Sequence, residues 1–135
     1  ALHKCLLEAI HQGLVESAHD CSEGGLAVAL AECGFPGDLG ARLQLDSGGL
    51  PAEVVLFGED ASRVLLSCAE KNVERIRELA VRYGIAADAI GETASDNLEI
   101  FVDGRPVVAA SVSELKQAWE QALEQALDVA APQMA

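Results

Sequence analysis

A short polar turn with two adjacent glycines constrains this chain more than any other part of its sequence. Apolar Leu14 and Val15 precede the turn, and good helix formers follow it from Leu26 onward. This pattern predicts a strand, a tight turn and a helix. Gly24-Gly25 lets the backbone approach another backbone or a ligand closely. The chain is therefore expected to contain at least one tightly connected strand-to-helix unit.

The same turn is the best candidate for a binding site. A helix N-terminus presents unpaired N–H groups and the positive end of the helix dipole, and this geometry holds a phosphate or a carboxylate. Asp20 is in addition a candidate Mg²⁺ ligand. The alternative is purely structural, with Ser22 as an N-cap and the glycines as a packing device. The predicted binding residues are Asp20, Ser22, Glu23, Gly24 and Gly25.

A second polar loop precedes a strongly apolar segment. The acidic pair Glu59-Asp60 stands just before Ser62-Arg63, and such a loop is able to face the first turn across the edge of a sheet. The alternative is an ordinary solvated acidic loop. Glu59, Asp60, Ser62 and Arg63 are therefore secondary candidates.

The hydrophobic pattern predicts a layered fold of helices and strands. Helices are predicted at 2–12, 25–33, 51–57, 72–83 (capped by Asn72) and from Ser111 or Ser113 to 127, and strands at 14–19, 41–46, 63–69, 89–93, 98–102 and 106–110. The strongly apolar strand at 63–69 is expected in the centre of the sheet. The order of elements predicts an α+β (α/β layered) domain with helices packed on a mixed β-sheet. We expect one domain over 1–130 and a frayed tail over 131–135.

Charge and length exclude several classes of protein. A length of 135 residues suits one domain with a real core. A net charge of −13 repels nucleic-acid backbones and anionic membranes, and no apolar run is long enough to span a bilayer. We therefore expect neither nucleic acid nor membrane as a partner. Any phosphate bound here needs backbone N–H groups, Mg²⁺ or basic residues from another domain.

The cysteines and histidines do not predict a catalytic or a zinc site. The irregular spacing of Cys5, Cys21, Cys33 and Cys68, without a C-x-x-C pair, indicates reduced thiols in a cytoplasmic protein. No finger-like zinc spacing joins them to His3, His11 or His19. Adjacent His19 and Asp20 would point to opposite faces of a strand. We predict no catalytic residue in this chain.

The turn and its surroundings resemble a known family. Residues 17–32 closely resemble a segment of phosphoribosylformylglycinamidine synthases, also called formylglycinamide ribonucleotide amidotransferases. Further similarities follow in register at Leu56-Phe57-Gly58-Glu59 with Ser62-Arg63, at Ile90-Gly91 and from Leu115 to Trp119, so the resemblance spans nearly the whole chain. It implies a C-terminal domain of the aminoimidazole ribonucleotide synthetase type, which walls a cleft beside an N-terminal ATP-binding domain.

The resemblance also implies an activity for a longer parent chain. That activity is an ATP- and Mg²⁺-dependent ligation in which ammonia from glutamine, released by a glutaminase, converts formylglycinamide ribonucleotide to its amidine. The start at Ala1 and the uncapped first helix favour a segment of such a parent. The segment alone is expected to be inactive, and an apolar face meant for the partner domain is expected to let it self-associate. Two alternatives remain open: a sibling synthetase (aminoimidazole ribonucleotide synthetase, selenophosphate synthetase or the hydrogenase maturation factor) and a non-enzymatic acidic interaction module.

The sequence departs from the family pattern at two places. Glu23 stands where many relatives have Asp, which preserves the charge. Gly58-Glu59-Asp60-Ala61 stands where the catalytic counterpart of the loop resembles Glu-Ser-Gln and contacts substrate. The departure argues against direct substrate binding by this loop, and two expectations stay open: the domain walls either a substrate cleft or the cleft of a structural nucleotide. Nothing resembles the glutaminase, so Cys21 is not its nucleophile.

Overall fold

A computed structural model describes residues 1–130 of the chain. The helices are α1 (Leu2–His11), α2 (Gly25–Gly34), α3 (Ala52–Phe57), α4 (Val73–Arg82) and α5 (Val112–Ala130), and the strands are β1 (Ser17–Asp20), β2 (Gly40–Leu45), β3 (Val64–Ser67), β4 (Gly91–Ala94), β5 (Asn97–Val102) and β6 (Arg105–Ser111). The chain divides into two compact units. None of the helices within this range has the length and apolar character needed to cross a membrane.

The first unit comprises Ala1–Leu30 and Ser47–Gly91. Strands β1 and β3 pair antiparallel as a two-stranded sheet, with Ser17 opposite Ser67 and Asp20 opposite Val64. Helices α1 and α4 pack together through a core of four buried side chains, with five half-buried apolar neighbours. The buried residues are Cys5, Ala9, Leu79 and Ala80, and the neighbours are Leu14, Val15, Tyr83, Ile85 and Ala87.

A polar contact joins α1 to the end of α4 in this unit. The Tyr83 hydroxyl donates to one oxygen of the Glu8 carboxylate, and Arg82 donates to the other at 3.2 Å. The hydrogen bond from Tyr83, with the positive charge of Arg82, lowers the pKa of Glu8. The same hydrogen bond raises the pKa of Tyr83. Both pKa shifts favour the state in which Glu8 is ionised and the Tyr83 hydroxyl is neutral.

The second unit comprises Ala31–Asp46 and the chain from Glu92 onward. Its four strands lie in the order β4-β2-β5-β6. The sheet is mixed, because β2 runs parallel to β5 and β5 runs antiparallel to β6. Leu43 and Ile100 are register partners in this sheet, and both are buried. Alternation of apolar and polar residues along β2 and β5 thus places one face of each strand in the core.

Helix α5 begins with a reciprocal cap. The backbone N–H of Glu114 donates to the Ser111 hydroxyl at 3.1 Å, and the backbone N–H of Ser111 donates to the Glu114 carboxylate at 3.3 Å. This capping box satisfies donors that the first turn of a helix leaves unpaired. The sequence left Ser111 and Ser113 open as the start of this helix, and the structure shows Ser111 as its cap.

The predicted fold class, with helices on a mixed sheet, is confirmed, but several details differ. Strand β3 is not central: it pairs only with β1 among the described residues. Its apolar run reflects partial burial on both faces, and such a run does not reveal how many strands flank it. β1 begins at Ser17 instead of residue 14, because Leu14 and Val15 pack on the α1–α4 core. The side chain of Asn72 donates to the Leu14 carbonyl instead of capping α4.

The structure does not test the predicted domain boundary or the predicted tail. A single domain over 1–130 stays a prediction, and within that range the chain forms two compact units. The predicted tail at 131–135 lies outside the described residues.

Candidate functional site

The candidate site lies where β1 ends and α2 begins. β1 ends at Asp20, and the backbone N–H of Gly25 donates to the Ser22 carbonyl at 3.4 Å to close the turn. Gly24 and Gly25 both have left-handed backbone conformations, with φ values of 81° and 71°. Residues with a Cβ rarely adopt this conformation. The two glycines are therefore required by the path of the chain into α2.

Gly25 also makes room for the end of α3. A Cβ atom placed on Gly25 would lie 2.7 Å from the Phe57 carbonyl carbon and 2.8 Å from the Gly58 oxygen. These distances are shorter than the Cβ contacts found in real proteins. The atoms involved belong to the backbone, so no change of side-chain rotamer relieves the clash. The sequence predicted that one backbone approaches another here, and the structure identifies the partner as the backbone of 56–58.

The two predicted loops come together in the structure. The backbone N–H of Gly24 donates to the Glu59 carboxylate at 3.1 Å. The backbone N–H of Cys21 donates to the Arg63 carbonyl at 3.1 Å. Antiparallel pairing of β1 with β3 brings the end of one strand to the start of the other. The predicted meeting of these loops at a sheet edge is therefore confirmed.

The turn already holds an anionic group from its own chain. The Glu59 carboxylate accepts a hydrogen bond next to the start of α2, where a helix N-terminus favours negative charge. Asp20, Ser22, Glu23 and Asp60 are exposed around it. Arg63 approaches Asp60 at 3.8 Å. The surroundings are thus predominantly acidic. They suit a cation, or a phosphate whose charge a cation neutralises, better than they suit a free phosphate.

The described residues do not by themselves form a magnesium site. Within 1–130, no three His, Cys, Asp or Glu side chains converge as metal ligands. Mg²⁺ is commonly held by one or two carboxylates together with substrate phosphates and water. Asp20 as a Mg²⁺ ligand therefore stays a prediction.

His19 and Cys21 occupy structural positions. The Nδ1 atom of His19 lies 2.6 Å from the Asp20 backbone carbonyl and 3.9 Å from the Asp20 carboxylate. Cys21 is buried, and desolvation raises the pKa of its thiol. A raised pKa disfavours the nucleophilic thiolate. The absence of a catalytic residue in this chain stays a prediction.

The four cysteines carry no disulfide in the part of the chain that the structure describes. Cys5 and Cys21 are buried, Cys68 is half-buried and Cys33 is exposed. Burial raises the pKa of Cys5 and Cys68 as well.

Sequence reasoning missed the specific role of two groups. It treated Glu59 as a surface acid or a ligand contact, whereas the carboxylate bonds to Gly24. It did not identify Val28, whose side chain fills the space that a Cβ on Gly24 would occupy. No local spacing connects residues 24 and 59, so only knowledge of the β1–β3 pairing reveals this contact.

Comparisons with known proteins agree with this fold. Residues 2–103 match the family described as AIR synthase related protein, C-terminal domain. The chain is 38% identical over 123 residues to the phosphoribosylformylglycinamidine synthase subunit PurL of Moorella thermoacetica, covering 91% of this chain and 17% of the relative. It is 36% identical over 128 residues to PurL of Thermus thermophilus, covering 95% of this chain and 17% of the relative.

Solved structures provide an independent match. PurL of Thermotoga maritima complexed with FGAR aligns with a TM-score of 0.79 at 26% identity, covering 85% of this chain and 20% of that chain. The same protein complexed with ATP aligns equally well, and so does the chain matched in the PurLQS structure. The chain spans about a sixth of the length of the curated relatives described above. It belongs to the family of AIR synthase related proteins, as the C-terminal domain, and its relatives are PurL subunits of phosphoribosylformylglycinamidine synthase.

Proposed function

We propose that this chain is a C-terminal-type domain of a PurL-like synthetase that makes formylglycinamidine ribonucleotide. In the proposed reaction, ATP phosphorylates the amide oxygen of formylglycinamide ribonucleotide. Ammonia from glutamine attacks the activated carbon, and phosphate leaves with the former amide oxygen. Such chemistry depends on positioned phosphates and charge neutralisation more than on a protein nucleophile.

One observation carries the proposal: the relatives found by sequence and the solved structures found by fold are both PurL proteins, and each match covers most of the chain. PurL of Thermotoga maritima has been seen with FGAR and with ATP, ADP and an ATP analogue. The structural agreement extends over 85% of this chain, so it is not confined to the short glycine-containing turn.

The β1–α2 turn acts in this proposal as a wall of the cleft and not as a catalytic centre. Asp20, Ser22 and Glu23 are exposed at the turn and are the groups we propose to face substrate or a structural nucleotide. Gly24 and Gly25 shape the turn, and Glu59 holds it through the Gly24 N–H. Asp60, Ser62 and Arg63 belong to the supporting loop.

The proposal also assigns partners and surroundings to the longer protein. Mg²⁺-ATP is bound mainly by an N-terminal domain of the same parent, and a glutaminase subunit or domain supplies ammonia. The protein acts in the cytoplasm, without nucleic acid or membrane. Exposed apolar side chains on α1 and α3 (Leu7, Ile10, Val54 and Phe57) support an apolar face for a partner domain. Through these side chains the isolated segment would self-associate, and without the ATP-binding domain it would be inactive.

A sibling synthetase is the second candidate, because the matched family covers AIR synthase related proteins generally. The two candidates differ in the compound that triggers ATP use. An AIR synthetase would release ADP with the amidine product as its substrate, whereas a PurL-like enzyme requires the amide and ammonia.

The test is substrate-dependent ADP release by the intact protein. Purified full-length protein is supplied with Mg²⁺-ATP and ammonia, and ADP is measured with formylglycinamide ribonucleotide, with its amidine, or with neither. Release that depends on the amide supports the proposal. Release only with the amidine favours an aminoimidazole ribonucleotide synthetase. If neither compound stimulates ADP release, the PurL-like proposal is overturned, and the assay is repeated with the substrates of the other sibling synthetases.

The role of the turn is tested in the same assay. Asp20→Asn should raise the KM for substrate or nucleotide more than it lowers kcat, because Asp20 touches no reacting atom in this account. Glu53→Gln, at an exposed position of α3, is the control. A loss confined to kcat would contradict the assignment of the turn as a wall.

A further inference from the structure

Helix α5 carries an exposed apolar row on the second unit. Trp119, Leu123 and Leu127 follow one another at intervals of four residues and are 59%, 71% and 60% exposed. Residues four apart lie on the same face of a helix, so the row extends over about 12 Å. Ala118, Ala122 and Ala126 border the row on one side and are also exposed. An apolar helix face of this size on the surface indicates a partner.

An acidic row borders the other side of the apolar row. Glu120, Glu124 and Asp128 each follow one residue after a member of the apolar row, so they lie about 100° further around the helix. All three are exposed, and the described last turn of α5 has no basic side chain. The two rows therefore form one surface, apolar in the middle and negative along one edge.

The apolar row begins at an open pocket. Phe35, Pro36 and Trp119 line a depression of about 380 Å³ together with Glu32 and Lys116. The Phe35 and Trp119 rings lie 5.5 Å apart between centroids at an angle of 42°. Lys116 approaches Asp38 at 3.7 Å. The pocket thus offers an aromatic wall that suits one apolar anchor side chain of a docking segment.

We propose that this surface of α5 docks a polypeptide segment whose apolar face is edged by lysine or arginine. Charge complementarity selects this occupant over a second copy of the chain. Two copies paired antiparallel along the apolar row bring their acidic rows together, and two copies paired in parallel leave the acidic rows without counter-charges. A basic-edged segment buries the apolar row and neutralises Glu120, Glu124 and Asp128 at once. The proposal does not depend on the ligase activity, because its test needs neither substrate nor ATP.

The chain contains its own reporter for the test. Trp119 is the single tryptophan of the sequence, and it lies in the proposed surface. The 135-residue chain is titrated with a tryptophan-free amphipathic helical peptide of about 18 residues, with leucines on one face and lysines along its edge. We expect a blue shift of the Trp119 emission with saturable binding. The same peptide with glutamate in place of lysine is the matched ligand control and should bind at least tenfold more weakly.

Surface variants separate the two parts of the surface. Leu123→Ser with Leu127→Ser should weaken the basic peptide more than tenfold, because about two leucine side chains of burial are lost. Glu120→Gln, Glu124→Gln and Asp128→Asn together should weaken it about tenfold at low salt. Val81→Ser, at another exposed apolar position, is the apolar control. Glu53→Gln, Glu70→Gln and Glu92→Gln together match the loss of charge, and neither control should alter the affinity.

Several outcomes overturn the proposal. One is an unshifted Trp119 emission at millimolar peptide, and another is equal binding of the acidic peptide. A third is seen by sedimentation: a concentration-dependent dimer that Leu123→Ser with Leu127→Ser abolishes and that the basic peptide does not dissociate. That result would make a second copy the occupant. The substituted side chains are exposed, so the variants are expected to fold, and their circular dichroism spectra verify it.

Discussion

Replacing Gly25 by alanine tests whether close backbone approach defines the β1–α2 turn. The substitution introduces two costs. A left-handed φ of 71° strains any residue with a Cβ by about 1–2 kcal/mol. The new Cβ would also lie 2.7 Å from the Phe57 carbonyl carbon, and overpacking of this kind costs about 1–3 kcal/mol. We therefore expect Gly25→Ala to lower the free energy of unfolding by about 2–5 kcal/mol.

Gly84 provides a matched control in the same unit. Its φ is 69°, and a Cβ placed on it would have no atom within 4 Å. Gly84→Ala therefore carries the strain of the left-handed backbone without the collision. The difference in lost unfolding free energy between the two variants is the cost of the collision, which we expect to be about 1–3 kcal/mol. Gly25→Val should be more destabilising than Gly25→Ala, since a β-branched side chain is larger and stiffer.

Urea unfolding followed by circular dichroism gives the required free energies. A small domain has a total stability of about 5–15 kcal/mol, so the predicted loss is a large fraction and shifts the midpoint clearly. If Gly25→Ala and Gly84→Ala lose the same free energy, the close approach of the turn to 56–58 does not stabilise this fold, and the reasoning is refuted.

Four further predictions follow from individual contacts. Ser111→Ala should cost about 1 kcal/mol of unfolding free energy by thermal or urea denaturation, because it removes the capping box of α5, whereas Ser113→Ala should be nearly neutral. Because the pKa of Glu8 is lowered in the folded protein, its carboxylate stabilises the fold above the ordinary glutamate pKa of 4.5, and this stability is lost as the pH falls through the pKa of Glu8 in the folded state. Tyr83→Phe should reduce this acid dependence in unfolding curves at several pH values. An unchanged dependence would exclude the Tyr83 hydrogen bond as its cause. Exposed Cys33 should react with iodoacetamide before buried Cys5 and Cys21, as mass spectrometry of partly labelled protein would reveal; labelling of Cys21 first would contradict its buried position. Glu59→Ala should destabilise the protein by about 0.5–1.5 kcal/mol through loss of the bond to Gly24, and Asp60→Ala should cost less.

Local patterns in the sequence were sufficient to predict most helices and strands. The hydrophobic pattern predicted β2, and Ser111 was one of the two predicted starts of α5. In each case the signal lies within a few residues, so it depends little on the rest of the chain. The adjacent glycines likewise predicted a close approach at the β1–α2 turn, although not the backbone that approaches.

Pairing between distant segments was not predictable in the same way. The apolar run around Val64 gives no information on whether it is flanked by one strand or two, and β3 pairs only with β1 among the described residues. The bond between Gly24 and Glu59 depends on that pairing. The hydrophobic pattern predicted a helix at α5, yet Trp119, Leu123 and Leu127 are exposed, because periodicity does not reveal whether an apolar helix face is covered within its own chain.

The destination of the amide oxygen is the most direct test of the proposed ligase function. The intact protein is given formylglycinamide ribonucleotide labelled with heavy oxygen in the amide, together with Mg²⁺-ATP and ammonia. Mass spectrometry then follows the label in inorganic phosphate and in the nucleotide product. We expect the label to leave the substrate and to appear in inorganic phosphate, in step with the formation of ADP and of the amidine product. Label that stays in the nucleotide while ADP is released, or the absence of any ADP release, would contradict it.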